Sequence, residues 1–254
     1  MTVRFSSSTG LPNIPDTDPN ANPRGVAVRF NLGHDDQGHR MHTDIIGHSV
    51  PLFPVRTGEL FLEFLRALAS SPSDAPSPSP IEKFLGAHPT ALTFVQYPKP
   101  APSSYAREAF FSVNAFKLIN AAGKATALRY QIIPELGVET LDEAALKDKD
   151  AGFLLQELEA RLKDGPVVFK LVAQIASDED VVDDATARWP DSRPLVELGM
   201  LRLDSYVQDS AKDQKYMIFD PIPRLPGVEP SADPLLEMRA ALYLISGKER
   251  RAAP

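Results

Sequence analysis

A recurring alternation of apolar and polar residues restricts the fold of this chain more than any other feature of its sequence. In residues 24–32, Val26, Val28 and Phe30 fall on one side of a period-two pattern, whereas Arg29 falls on the other. This pattern predicts a half-buried strand. Similar segments occur at residues 3–6, 110–119, 125–133, 167–175, 195–203 and 215–219. Seven strands, several of them joined by short polar turns, predict an antiparallel barrel or sandwich.

Helical patterns interrupt these strands at residues 60–68 and 153–162, where apolar residues recur at the spacing of one helix face. A third helix is predicted near the C-terminus, because Asp233 suits an N-cap, Pro234 suits the first helical position and an apolar run follows. The 24 prolines among 254 residues argue against a bundle of long helices. We therefore predict an α+β fold.

The proline- and serine-rich stretch 71–80, SPSDAPSPSP, has the composition of an extended linker and predicts a surface loop. Strand-like segments of similar composition lie on both sides of it, so we predict one domain over residues 1–254 rather than two. The chain has no cysteine, which excludes a thiolate nucleophile and a redox CxxC pair.

Charge and hydropathy narrow the expected partners. Acidic residues outnumber basic ones by 34 to 27, which gives a net charge of −7, and we therefore expect no nucleic-acid partner. No stretch reaches the roughly 18 apolar residues that cross a bilayer, and residues 1–8 lack the apolar core of a secretory signal. We expect no membrane partner and, from the sequence as written, a cytoplasmic location. GxSxG, P-loop, GxGxxG and HExxH strings are absent from the sequence, which argues against the common hydrolases, nucleotide-binding proteins and zinc proteases.

Histidines suggest two candidate sites, each with a simpler structural interpretation. The segment 33–44, GHDDQGHRMHTD, holds His34, His39 and His42 among the carboxylates of three aspartates. Such a set can bind a divalent metal, but a solvated hairpin between two strands accounts for the same residues. His48 stands between a glycine and an apolar run, so it is either a buried core histidine or a catalytic residue.

Arg239 and Tyr243 form the most informative pair, because residues four apart leave the same face of a helix. A guanidinium that donates to a phenol oxygen stabilises the phenolate over the phenol. A phenolate binds ferric iron, and tyrosine is one of the few axial ligands of haem iron. The pair alone is unspecific, so its meaning depends on the sequence around it.

The surrounding segment, residues 227–251, GVEPSADPLLEMRAALYLISGKERR, resembles the proximal haem segment of the catalase superfamily. The resemblance implies that Tyr243 is the axial ligand of a ferric haem and that Arg239 is its charge-assisted partner. It also places Ser246 one turn beyond the tyrosine and assigns Arg250 to a haem propionate. The implied fold is a catalase-like antiparallel β-barrel with flanking helices and a C-terminal helix that ligates haem.

The remainder of the chain resembles the same superfamily in the same order, and is most similar to the small catalase-related haem peroxidases. The resembling segments are residues 3–7, 22–30, 47–64, 116–125, 189–203 and 219–227. They imply that Arg4 pairs with the second propionate and that Phe61 stacks on the haem face. His48 stands where large catalases have an asparagine on the distal side, which makes it the candidate catalytic residue.

The resemblance implies a haem-dependent peroxidase or weak catalase that reduces hydrogen peroxide or small organic hydroperoxides with small organic electron donors. In the family, the distal histidine precedes the strand that begins near Val3, whereas this sequence begins at Met1. We therefore expect a chain truncated at its N-terminus relative to the family, with poor turnover and with any export signal lost. A haem-binding remnant without catalysis and an isomerase that rearranges hydroperoxides remain alternatives. Homo-oligomerisation also remains open.

Overall fold

The computed structural model describes residues 1–9, 11 and 13–253. Three residues of the domain predicted over 1–254, Gly10, Pro12 and Pro254, therefore lie outside the described part. The described strands are β1 (Thr2–Ser7), β2 (Arg24–His34), β3 (Arg40–His48), β4 (Ala101–Pro102), β5 (Phe110–Phe111), β6 (Phe116–Ile119), β7 (Ala125–Pro134), β8 (Thr140–Leu141), β9 (Val167–Ile175), β10 (Leu195–Leu203) and β11 (Val228–Pro230).

Nine of these strands form one antiparallel sheet. Strands β1, β2 and β3 run as a meander, and β3 reaches β5 through a pairing of His48 with Phe111. Along one edge, β7 pairs first with β6 and then with β5. Along its other edge, β7 pairs with β9, and β9 pairs with β10. Strand β11 pairs with β6, while β4 and β8 form a small separate sheet.

The predicted barrel is not closed by backbone pairing, because β1 and β10 do not pair with each other among the described strands. The sheet instead curls, and side chains of its concave face meet across the core. Phe5 of β1 stacks on Tyr105 with ring centroids 4.9 Å apart and lies 6.1 Å from Phe169 of β9. Packing of buried rings therefore holds together the strands that hydrogen bonds leave open.

Two strand predictions differ from the structure. The segment 110–119 divides into β5 and β6, and β3 was not predicted because polar residues conceal its first half. The strand predicted at residues 215–219 is wrong. Backbone carbonyls in and beside this segment bond to arginine side chains instead of to a neighbouring strand. Arg250 donates to the carbonyls of Gln214 and Met217, and Arg29 donates to the carbonyl of Ile218.

The α+β prediction is confirmed by seven described helices. They are α1 (Gly58–Ala69), α2 (Pro80–Ala87), α3 (Pro89–Gln96), α4 (Glu143–Lys147), α5 (Phe153–Asp164), α6 (Ser210–Gln214) and α7 (Pro234–Ala252). Residues 71–79 form the predicted loop before α2. The predicted start of α7 is also confirmed, because the Asp233 carboxylate accepts a hydrogen bond from the Leu235 amide at 2.9 Å. Among the described helices, none has both the length and the hydropathy that a membrane span requires.

Candidate functional site

A cavity of about 580 Å³ lies between the first three strands, the start of α1 and one face of α7. All seven site residues that the sequence predicted line this cavity. They are Arg4, His48, Phe61, Arg239, Tyr243, Ser246 and Arg250. The fold therefore brings residues from both ends of the chain to a single site.

Helix α7 supplies one wall of the cavity because its site residues share a face. Residues 239, 243, 246 and 250 are separated by four, three and four positions, which is the spacing of one helix face. Gly247 lets α7 pack closely against the segment that contains Ile218, because a Cβ atom at position 247 would overlap the Ile218 side chain. Replacing the glycine with a larger residue would move the helix or its neighbour.

A chain of four polar groups ends at the hydroxyl of Tyr243. Arg239 donates to that oxygen from both Nε and Nη2, each at 3.2 Å, and its Nη1 donates to Oδ1 of Asn114. Nδ2 of Asn114 in turn donates to Oδ2 of Asp233 at 2.8 Å. Burial raises the pKa of Asp233. The arrangement fixes the guanidinium at the phenol oxygen.

The opposite end of the cavity carries unpaired positive charge. The guanidinium of Arg4 lies 4.6 Å from the centre of the Phe219 ring, and burial, followed by repulsion from Arg250, lowers the pKa of Arg4. Nε of Arg250 is buried without a hydrogen-bond partner. Neither arginine has a carboxylate within ion-pair distance in the part of the chain that the structure describes. This end is therefore suited to bind anionic groups of a ligand.

Aromatic and aliphatic side chains form the remaining walls. The rings of Phe53 and Phe61 lie 5.1 Å apart, and Val113, Met238 and Leu242 also line the cavity. A flat aromatic ligand with anionic substituents matches such walls, and the phenol oxygen of Tyr243 is a group of the type that binds ferric iron. The residues present therefore fit a haem group.

His48 lines the cavity with its ring 6.4 Å from that of Phe53. Its Nδ1 accepts a hydrogen bond from the backbone amide of Val50 at 3.2 Å. Burial, together with the positive charges of Arg239 and Lys99, lowers the pKa of His48 to about 3. The ring is consequently neutral near pH 7.

Two residues escaped prediction from the sequence: Asn114, which lines the cavity, and Arg29, which lies behind its lining residue Phe219. Asn114 is only 1% exposed. The one feature of the sequence that could have indicated its role is that it is a polar residue within the apolar stretch 110–116. Arg29 was assigned to the solvent side of its strand, but it forms a two-pronged ion pair with buried Asp44 at 2.6 and 2.8 Å. No local pattern reports that contact, because the carboxylate lies on the next strand.

The candidate metal site at residues 33–44 is not formed. In residues 1–9, 11 and 13–253 there is no group of three or more potential metal ligands close enough to hold an ion. The segment 33–44 is instead the exposed turn and the flanking strands of the β2–β3 hairpin. Asp35 accepts hydrogen bonds from the amides of Gln37 and His39 at 2.9 and 2.8 Å, which stabilises the turn locally.

Comparison with known proteins gives one family. The catalase family model matches residues 1–253. A catalase-related peroxidase of Synechococcus elongatus is 30% identical over 254 residues, covering 98% of this chain and 73% of the relative. A catalase-related peroxidase of Mycolicibacterium paratuberculosis is 32% identical over 251 residues, covering 98% of this chain and 77% of the relative.

Solved structures show the same fold. A bacterial catalase superposes with a TM-score of 0.81 at 23% identity, covering 98% of this chain and 50% of that chain. Catalase A from Saccharomyces cerevisiae gives a TM-score of 0.81 at 21% identity, covering 98% of this chain and 53% of that chain. The chain thus spans about half the length of these solved catalases.

Proposed function

Because this chain belongs to the catalase family, we propose that it is a haem-dependent peroxidase or weak catalase. Its substrates would be hydrogen peroxide or small organic hydroperoxides, with small organic molecules as electron donors. The observation that carries the proposal is the double donation from Arg239 to the hydroxyl of Tyr243 at the wall of the cavity.

Each part of the cavity has a role toward haem in this proposal. Tyr243 would ligate the ferric iron through its phenolate oxygen. Arg4 and Arg250 would bind the two propionates, and Phe61 would lie against a face of the ring, with Ser246 one helical turn beyond the ligand. When bound, the haem would supply the redox chemistry that reduces the peroxide O–O bond.

The protein's own residues would control charge and water around that chemistry. Arg239 would hold negative charge on the phenol oxygen, since a guanidinium fixed beside an oxyanion stabilises it without reorganisation. Asn114 and Asp233 would keep the guanidinium in place through the hydrogen bonds described above. Phe53 and Phe61 would exclude water from the opposite side.

One observation favours haem binding without catalysis as the second candidate. A distal base must accept a proton, whereas Nδ1 of His48 already accepts the amide of Val50 and the ring is neutral. If no other base reaches the site, peroxide turnover would lose general acid–base help worth on the order of a hundredfold to ten-thousandfold. Incorporation of haem without peroxide-dependent dye oxidation would identify this alternative.

Haem titration with matched tyrosine variants tests the proposed ligand. We expect added ferric haem to give a shifted Soret band in the unmodified protein and a different spectrum in Tyr243→Phe. Tyr216→Phe is the control, because that side chain is 71% exposed and lies outside the cavity lining. Retention of the original spectrum by Tyr243→Phe, with the fold intact by circular dichroism, would contradict the ligand assignment.

A further inference from the structure

The two ring nitrogens of His48 have different surroundings. Nδ1 accepts the Val50 amide at 3.2 Å, so it carries no proton in the neutral ring. The hydrogen-bond network therefore assigns the proton to Nε2. Nε2 has no hydrogen-bond partner among the described residues and is not sealed from the cavity, which the ring lines.

The backbone stabilises this tautomer. Val50 is 1% exposed, and loss of its acceptor would leave a nearly buried amide unpaired, which is unfavourable. His48 itself ends β3, where it pairs with Phe111 of β5. Among the described residues, the group that hydrogen-bonds to Nδ1 is the Val50 amide, a donor.

The charged groups around the ring oppose a second proton. Arg239 approaches from α7 and Lys99 follows α3, and both are positive, while the neighbouring ring of Phe53 is uncharged. A doubly protonated imidazole there would be both desolvated and repelled. The ring accordingly stays neutral across the range of about pH 5–8 in which an ordinary histidine titrates.

We propose that His48 acts as a permanent Nε2–H hydrogen-bond donor to a ligand bound in the cavity, and not as a proton-accepting base. This role depends on the proposed function, because the ligand would be an oxygen atom or an anion at the haem iron. No proton is transferred at His48 in this role. The donor stabilises negative charge on the ligand, and its strength does not change with pH between about 5 and 8.

Nitrogen-15 imidazole spectra of the haem-free protein test the tautomer directly. We expect the His48 signals, assigned by their loss in His48→Asn, to show a proton on Nε2 and a bare Nδ1 at every pH from about 5 to 8. A proton on Nδ1, or titration of His48 between about pH 5 and 8, would overturn the proposal.

Fluoride binding to the haem-loaded ferric protein tests the donor. An asparagine amide can both accept the Val50 amide and donate to the ligand, whereas leucine can do neither. We expect fluoride affinity to fall roughly tenfold to a hundredfold in His48→Leu and to stay within about threefold in His48→Asn. Unchanged affinity in the leucine variant, or equal losses in both variants, would refute the donor role.

The two measurements separate this proposal from the proposed function. Failure of the protein to take up haem would count against the proposed function, while the imidazole spectra would still decide the protonation of His48 without haem. Conversely, a titrating His48 in a protein that binds haem through Tyr243 would overturn only the donor assignment.

Discussion

Replacement of Asn114 by alanine tests the energetic importance of the polar chain behind Tyr243. Asn114 is 1% exposed and donates to Asp233 at 2.8 Å while it accepts from Arg239. Hydrogen bonds to charged groups contribute about 1.5–3 kcal/mol each to stability. Because the substitution removes two such bonds, we expect the free energy of unfolding to fall by about 3–6 kcal/mol.

Urea unfolding of the haem-free protein at pH 7 measures this loss. Asn31→Ala is the matched control, because Asn31 is exposed and its side chain makes no hydrogen bond within the described chain. We expect the control to change stability by less than about 0.5 kcal/mol. An unchanged denaturant slope would show that the two variants unfold from comparable states. A loss below about 1 kcal/mol in Asn114→Ala would refute the reasoning.

Substitutions at Glu108 and at two glycines should alter stability in ways that the structure specifies. Burial raises the pKa of Glu108 from 4.5 to about 7. Between these two pH values the native protein keeps the proton on Glu108, whereas the unfolded chain releases it. The free energy of unfolding therefore falls as the pH rises from 4.5 to about 7. Glu108→Gln should remove this loss, and urea unfolding should find the variant more stable by about 3 kcal/mol at pH 8 but nearly unchanged at pH 4. A Cβ atom on Gly47 would lie 2.7 Å from the carbonyl oxygen of Phe111, so Gly47→Ala should destabilise the protein by about 1–3 kcal/mol in the same assay. Gly86 in α2 has open space around it, and Gly86→Ala should stabilise the protein by about 0.5–1 kcal/mol.

Different outcomes would contradict each of these two expectations. For Glu108, the deciding quantity is the difference in free energy of unfolding between the variant and the unmodified protein, measured at pH 4 and at pH 8. Taking this difference cancels the titration of all other groups. A difference that does not change with pH would mean that the carboxyl is not protonated in the native state. For the glycines, equal effects of the two alanine substitutions would mean that contact with β5 does not limit position 47.

Local chemistry explains which parts of the fold the sequence predicted. The start of α7 depends on Asp233 and Pro234, which act within two residues of each other, so the pattern is visible in the sequence. The placement of Arg239 and Tyr243 on one face follows from helix geometry alone. The roles of the residues on this helix came instead from the resemblance of residues 227–251 to the proximal haem segment of the catalase superfamily.

Contacts between distant residues explain the failures. Asn114 reaches Asp233 across 119 positions of the chain, and no periodic pattern records such a pairing. Alternation at residues 215–219 predicted a strand, but a strand requires a neighbour, and arginine side chains occupy its carbonyls instead. The open edge between β1 and β10 likewise depends on how far the whole sheet curls, which no single segment determines.

The arginine contacts to the segment 215–219 have a consequence for its mobility. Arg250 holds the carbonyls of Gln214 and Met217 with its two terminal nitrogens, yet the same guanidinium faces the cavity. An anion that binds this guanidinium would therefore alter the restraint on a backbone that no strand secures. Occupancy of the cavity and ordering of the segment are thus thermodynamically linked, so a change in the rate of amide hydrogen exchange there would report a filled site.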